Sequence, residues 1–190
     1  MTERIGIILT AGVQEKTRGG YRVEPDLEGK IRSLLALQDL KLGAVDRLIV
    51  TGGQPVFGKG VAEHYASYLN RKLSAINLDL PQVQAVTDGI ETESDLKAVS
   101  EFIKKDDRVI IYSSAYHLRR KAASTLNRLG FLTAKDPSER RLKEKDRRYE
   151  RIINGVLNPR FVLYQNIRGI IIDLLPYFFI ERLAQKQRQK

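Results

Sequence analysis

Five short apolar runs rich in β-branched residues, set between segments of helical period, narrow the fold more than any other property of this chain. The runs are Arg4 to Thr10, Arg47-Leu48-Ile49-Val50, Gln82 to Val86, Val109-Ile110-Ile111-Tyr112 and Phe131-Leu132-Thr133-Ala134. Runs of this length bounded by turn signals read as buried strands, the third weaker than the others and the last a further candidate. Between them, Leu27, Ile31, Leu34, Leu35 and Leu42 repeat at helical spacing after Asp26 and stop at Gly43. A second helix runs from about Val61 to Leu73, with Ala62, Tyr65, Ala66 and Leu69 as its packing face. Leu96, Val99, Phe102 and Ile103 make a third, opened by Thr92 and Asp95 as an N-cap pair, and Ala122, Ala123, Leu126 and Leu129 make a fourth.

This order predicts an α/β fold with a mostly parallel sheet covered by helices on both faces. Right-handed crossovers make a Rossmann-like, doubly wound, five-stranded sheet the leading arrangement. With strand order 3-2-1-4-5, the first and fourth strands are neighbours whose chains leave in opposite directions. A crevice is then expected between Ala11-Gly12 and the segment Ser113 to His117, with Gly52-Gly53 beside it. The polar stretch Gln14 to Pro25 is long for a strand-to-helix connection and reads as a ligand lid or a floppy insertion.

A chain of 190 residues favours one domain plus an appendage, here divided as 1–136 and a carboxyl-terminal helical extension, 137–190. The absence of cysteine excludes disulfides and thiolate metal sites, and two histidines, His64 and His117, are too few for a His-rich zinc site. No metal is therefore expected. Ile5 to Leu9 is too short and too closely flanked by charge for a signal peptide, which predicts a cytoplasmic protein, peripheral to a membrane at most. The net charge of +10 would attract nucleic acid, anionic lipid or phosphorylated small molecules, and much of it lies after residue 135. Residues 138 to 151 mix both signs, the pattern of a solvated, ion-paired surface. Phe161 to Ile180 reads as an amphipathic helix, kinked or broken near Pro176. Arg168 and Asp173 at its centre would each oppose membrane insertion by roughly 2.5 to 3.5 kcal/mol, so packing on the domain or on a second copy is favoured over spanning. Binding to a membrane surface is the alternative. Nucleic-acid binding is disfavoured, since no reader motif or aromatic stacking platform is present.

The reactive-looking groups gather in Ser113-Ser114-Ala115-Tyr116-His117-Leu118-Arg119-Arg120. The hydroxyls donate hydrogen bonds, Arg120 can form a bidentate pair with phosphate or carboxylate, and His117 adds a donor or an acid–base group. A capped helix start is the plain alternative. A serine hydrolase is a weaker one, because the Gly-x-Ser-x-Gly elbow is missing. Gly52-Gly53 reads as a tight turn or as a close approach to phosphate, and it lacks the spacing of a dinucleotide or P-loop fingerprint, so no cofactor is specified.

Ser114-Ala115-Tyr116-His117-Leu118-Arg119-Arg120, together with Ile49-Val50-Thr51-Gly52-Gly53 and Ala62-Glu63-His64-Tyr65-Ala66-Ser67-Tyr68-Leu69, resembles the YdcF/SanA/ElyC-like family of bacterial proteins over about Ile5 to Ala134. The resemblance implies a Rossmann-like fold with a pocket built from these segments, and links to nucleotide-like ligands or to envelope and lipid-carrier metabolism. Three departures stand out. Gly60-Val61-Ala62-Glu63 replaces a Ser-Glu-Ala-Glu pattern, Glu91-Thr92-Glu93-Ser94-Asp95 replaces Asn-Thr-x-Glu-Asn, and Arg119 stands where a proline is usual. The residues and the resemblance together nominate His117 and Glu63 for acid–base chemistry. For ligand binding they nominate Ala11, Gly12, Thr51, Gly52, Gly53, Thr92, Ser113, Ser114, Tyr116 and Arg120. The expected partner is a small anionic, phosphate-bearing or nucleotide-like ligand. A non-catalytic envelope or membrane-surface factor and a basic nucleic-acid binder are the alternatives from other classes.

Overall fold

The computed structural model describes residues 2–16, 22–76, 81–89, 92–114 and 133–134. In chain order the elements are β1 (Arg4–Leu9), β2 (Val13–Lys16), β3 (Arg22–Pro25), α1 (Leu27–Lys41), β4 (Arg47–Thr51) and β5 (Pro55–Val56). They continue with β6 (Lys59–Gly60), α2 (Val61–Ser74), β7 (Gln84–Val86), α3 (Thr92–Ser100), β8 (Arg108–Tyr112) and β9 (Thr133–Ala134). Four strands run parallel in the order β7-β4-β1-β8, and β9 pairs with Val109 and Ile110 on the outer side of β8. Tyr116, His117 and Arg120, the expected fourth helix and the whole of 137–190 lie outside the described residues.

Side-chain alternation along the strands divides the apolar residues between two cores. Ile8, Leu48, Val50 and Tyr112 face α1 and α2, where they meet Ile31, Leu35, Val61, Tyr65 and Leu69. Ile5, Ile7, Leu9, Ile49, Val109 and Ile111 face the other way, onto Leu96 and Val99 of α3. Helices thus cover both faces of the parallel sheet, which explains why its strands read as continuous apolar runs. Among the described residues no helix is long and apolar enough to cross a membrane.

Several boundaries depart from expectation for physical reasons. The ends of the polar stretch Gln14 to Pro25 pair antiparallel as β2 and β3, with Val13 opposite Pro25 and Lys16 opposite Arg22. A two-stranded ribbon of this kind needs no apolar pattern to pair, so the sequence does not announce it. Leu27, which opens α1, and Leu42, just after its end, are exposed, while the polar Glu28, Arg32, Ser33 and Asp39 within it are buried. Thr92 lies inside the first turn of α3 rather than before it. That helix ends at Ser100, yet Ile103 beyond it still reaches the core.

Candidate functional site

The carboxyl ends of β1, β4 and β8 open on one side, where Thr10 to Gly12, Thr51 to Gly53 and Ser113-Ser114 follow them. β4 and β7 lie to one side of β1 and β8 to the other, so the connections reverse direction between β1 and β8. A crevice for ligands forms at such a reversal in open α/β sheets.

The amino end of α1 is fitted into this reversal. Asp26 caps it, its side-chain oxygen accepting the Gly29 N–H at 2.7 Å while its own N–H donates to the Gly12 carbonyl at 2.9 Å. Burial pushes the Asp26 carboxyl up from the ordinary aspartate range, only partly opposed by the N–H groups of Gly29 and Gly12 and by Arg32. Tyr65, fully buried on α2, clamps the same loop from below. Its hydroxyl accepts the Ala11 N–H at 3.0 Å and donates to the Gly12 carbonyl at 3.1 Å. The phenol is raised well above its usual range by burial first and by the neighbouring Asp26, so it stays neutral as a two-way hydrogen-bonding group.

One helical turn further in, Glu28 and Arg32 form an ion pair that is almost wholly buried. Arg32 donates through one Nη to the Leu9 carbonyl at the end of β1, and through the other to Ser114 Oγ at 2.8 Å and to Glu28. Ser114, 0% exposed, donates its own hydroxyl hydrogen to Glu28, which closes the network. Ser114 thus joins the exit of β8 to α1 and is not a donor at the surface; Ser113 is equally buried. A second polar tie lies along the same helix face, where the Tyr112 hydroxyl donates to Asp39 Oδ2 at 2.8 Å. Two charges in a dry interior must be mutually satisfied, because their desolvation is otherwise large.

Gly52 and Gly53 serve the chain's own backbone. Gly52 has φ +152°, and its N–H donates to the Val86 carbonyl at 3.2 Å. A Cβ on Gly53 would stand 1.9 Å from the Thr87 carbonyl oxygen, and its N–H already donates to the Gly89 carbonyl at 2.7 Å. With the Ala11 N–H held by Tyr65, three of the backbone donors expected to cradle an anion are engaged within the protein. Thr51 is buried, its hydroxyl directed at the Asp95 carbonyl of α3, 3.4 Å away, beside Thr92 in the first turn of that helix. Glu63 is exposed at the start of α2 and accepts the Gly60 N–H at 2.7 Å, half of a capping box. His64 is buried beside it and donates from Nε2 to the Val56 carbonyl at 2.7 Å.

The structure therefore brings Ala11, Gly12, Thr51, Gly52, Gly53, Ser113 and Ser114 to one side of the sheet. Glu63 and Thr92 stand at the helix starts that border it. Glu28, Arg32, Asp26 and Tyr65 were missed. A signal for the first two exists: Glu28, Arg32, Leu35 and Asp39 follow i, i+4, i+7, i+11 spacing, so charge stands on the stripe that Leu35 marks as inward-facing. Among the described residues no His, Asp and Glu gather as a metal-holding group. No family model, curated protein or solved structure matches the chain.

Proposed function

We propose that the chain is a YdcF-like, Rossmann-like α/β protein with a doubly wound five-stranded sheet, whose crevice binds a small anionic, phosphate-bearing or nucleotide-like ligand. The observation that carries this reading is the buried Glu28–Arg32–Ser114 network at the junction of β1 and β8. A buried ion pair is a poor way to gain stability compared with apolar side chains of similar volume. Placed at the reversal of connections, it fixes Ser114, from which the segment Tyr116-His117-Leu118-Arg119-Arg120 departs. The network thus supports a positioned corner, and the sequence beyond it supplies the cations that an anion requires. With the backbone donors of Ala11, Gly52 and Gly53 engaged elsewhere, Arg120 is assigned the principal anion contact and His117 the second.

Native mass spectrometry of gently purified protein, followed by a thermal-shift screen of nucleotides and phosphorylated metabolites, tests the reading. The ligand found should bind Arg120→Ala about 10- to 100-fold more weakly with the fold intact, the loss of one charge-assisted hydrogen bond. Arg120→Lys should not fully restore it, since an ammonium lacks the planar fork. Equal affinity of the wild type and Arg120→Ala for every ligand found would defeat the assignment.

A further inference from the structure

We infer that Phe57 is an aromatic platform at the mouth of the crevice, set to stack on a planar ring carried by the anionic ligand, which narrows the ligand class to nucleotides. This rests on the crevice reading above and adds the ring. β5 and β6 pair Pro55 with Gly60 and Val56 with Lys59, leaving Phe57-Gly58 as a two-residue turn. Phe57 has φ +51° and Gly58 has φ +76°, the values of a type I′ turn. Asn-Gly is the pair that suits this turn, since Asn tolerates the left-handed region and a bulky side chain does not. Among the described residues Phe57 is the only one other than glycine with a positive φ. A strained backbone position held by an ill-suited side chain calls for something that the side chain does.

Burial does not supply the compensation, because Phe57 remains 49% exposed. Its ring meets His64 at a centroid distance of 6.5 Å and an interplanar angle of 78°, an edge contact that leaves much of the ring open to solvent. His64 is itself buried and fixed to the Val56 carbonyl, so the platform has a firm base. The hairpin leads from the carboxyl end of β4 into α2, with Val61 N–H donating to the Gln54 carbonyl and Ala62 N–H to the Gly52 carbonyl, which holds its foot on the crevice side of the sheet. Phe102 is about as exposed but lies after α3, where its carbonyl accepts from Arg47 at the opposite end of the sheet, and its backbone is unstrained.

The test uses the full chain, the four ribonucleoside 5′-monophosphates and ribose 5-phosphate, with calorimetric titration and thermal melts. The wild type should bind at least one nucleotide more tightly than ribose 5-phosphate. Phe57→Asn should raise the melting temperature by relieving the turn, weaken that nucleotide about 5- to 100-fold, and leave ribose 5-phosphate unchanged. Phe57→Tyr, which keeps a flat ring, should retain most of the affinity. A nucleotide that binds Phe57→Asn as tightly as wild type, or ribose 5-phosphate that binds wild type as tightly as every nucleotide, removes the platform and leaves the crevice. A lower melting temperature for Phe57→Asn, whatever its binding, assigns Phe57 to packing on His64 and overturns the inference. Failure of all five probes to bind the wild type overturns the platform and leaves the crevice to the wider ligand screen.

Discussion

Arg32 carries a charge to a place that water does not reach, and its consequences follow from what it leaves behind when removed. Arg32→Ala takes the guanidinium away from the buried Glu28 carboxylate, so the variant should lose about 3 to 5 kcal/mol of stability by denaturant titration. The double variant Glu28→Leu with Arg32→Met should lose much less, because it removes both charges and fills the space. A double variant as unstable as Arg32→Ala would show that the pair contributes through geometry at Ser114 and not through charge compensation. His117→Ala asks a different question of the same corner. Modestly weaker binding marks His117 as a donor, whereas lost turnover with binding largely kept marks it as an acid or base. The seryl and glycyl positions of the corner were legible in the sequence because residue type and strand end coincide there. Glu28 and Arg32 were passed over because charged side chains on a helix are ordinarily solvated, and only their spacing relative to Leu35 shows otherwise.

The elements themselves were legible where local chemistry and long-range packing agree. Asp26 before α1 and Gly43 after it, with φ +64°, bracket a helix whose ends the sequence states directly. β1, β4 and β8 follow the same logic, since burial on both faces admits little besides apolar residues, whereas β7, with Gln84 and Ala85 only partly buried, reads more weakly. The short ribbons were not legible: β2 with β3 and β5 with β6 carry no alternation long enough to read. The glycine turn after β4 was legible as a turn, but its partner, the backbone of Thr87 to Gly89, is distant in sequence and was not. Gly53→Ala should therefore destabilise the protein by about 3 kcal/mol or more, the upper range for overpacking, since the obstructing atoms are main-chain carbonyls. Ligand affinity of the fraction that stays folded should be unchanged. A Gly53→Ala variant with wild-type melting temperature and weakened binding would return the turn to the ligand site.

The Arg4–Asp46 and Asp107 contacts lie at the amino ends of the strands, opposite the proposed crevice, which makes the two separable by pH. At the amino ends, Asp46 accepts the Arg4 N–H at 2.7 Å and the Arg4 guanidinium at 2.6 Å, and these bonds hold its carboxyl below the ordinary range. Burial alone would raise Asp107. The N–H groups of Glu3 at 3.0 Å and Lys104 at 2.8 Å, with Lys104 and Arg47 charges nearby, nevertheless keep it below that range. A carboxyl lowered by folding stabilises the protein above its unfolded value, near 3.8, and loses that contribution as pH falls through the folded value. Asp26, at the crevice end, has the opposite sign: raised by burial, it contributes fully below 3.8, and the contribution is lost as pH rises through its folded value. Asp107→Ala should therefore be less stable at pH 7 by about 1 kcal/mol, and should converge on wild type only as pH falls below 3.8 and through the lowered folded value. Its ligand affinity at pH 7 should match wild type, whereas Arg120→Ala should show the reverse pattern, an unchanged melt and weakened binding. An Asp107→Ala protein whose deficit persists undiminished on acidification would show that the clamp acts through packing, because protonating the wild-type carboxyl would then have removed nothing.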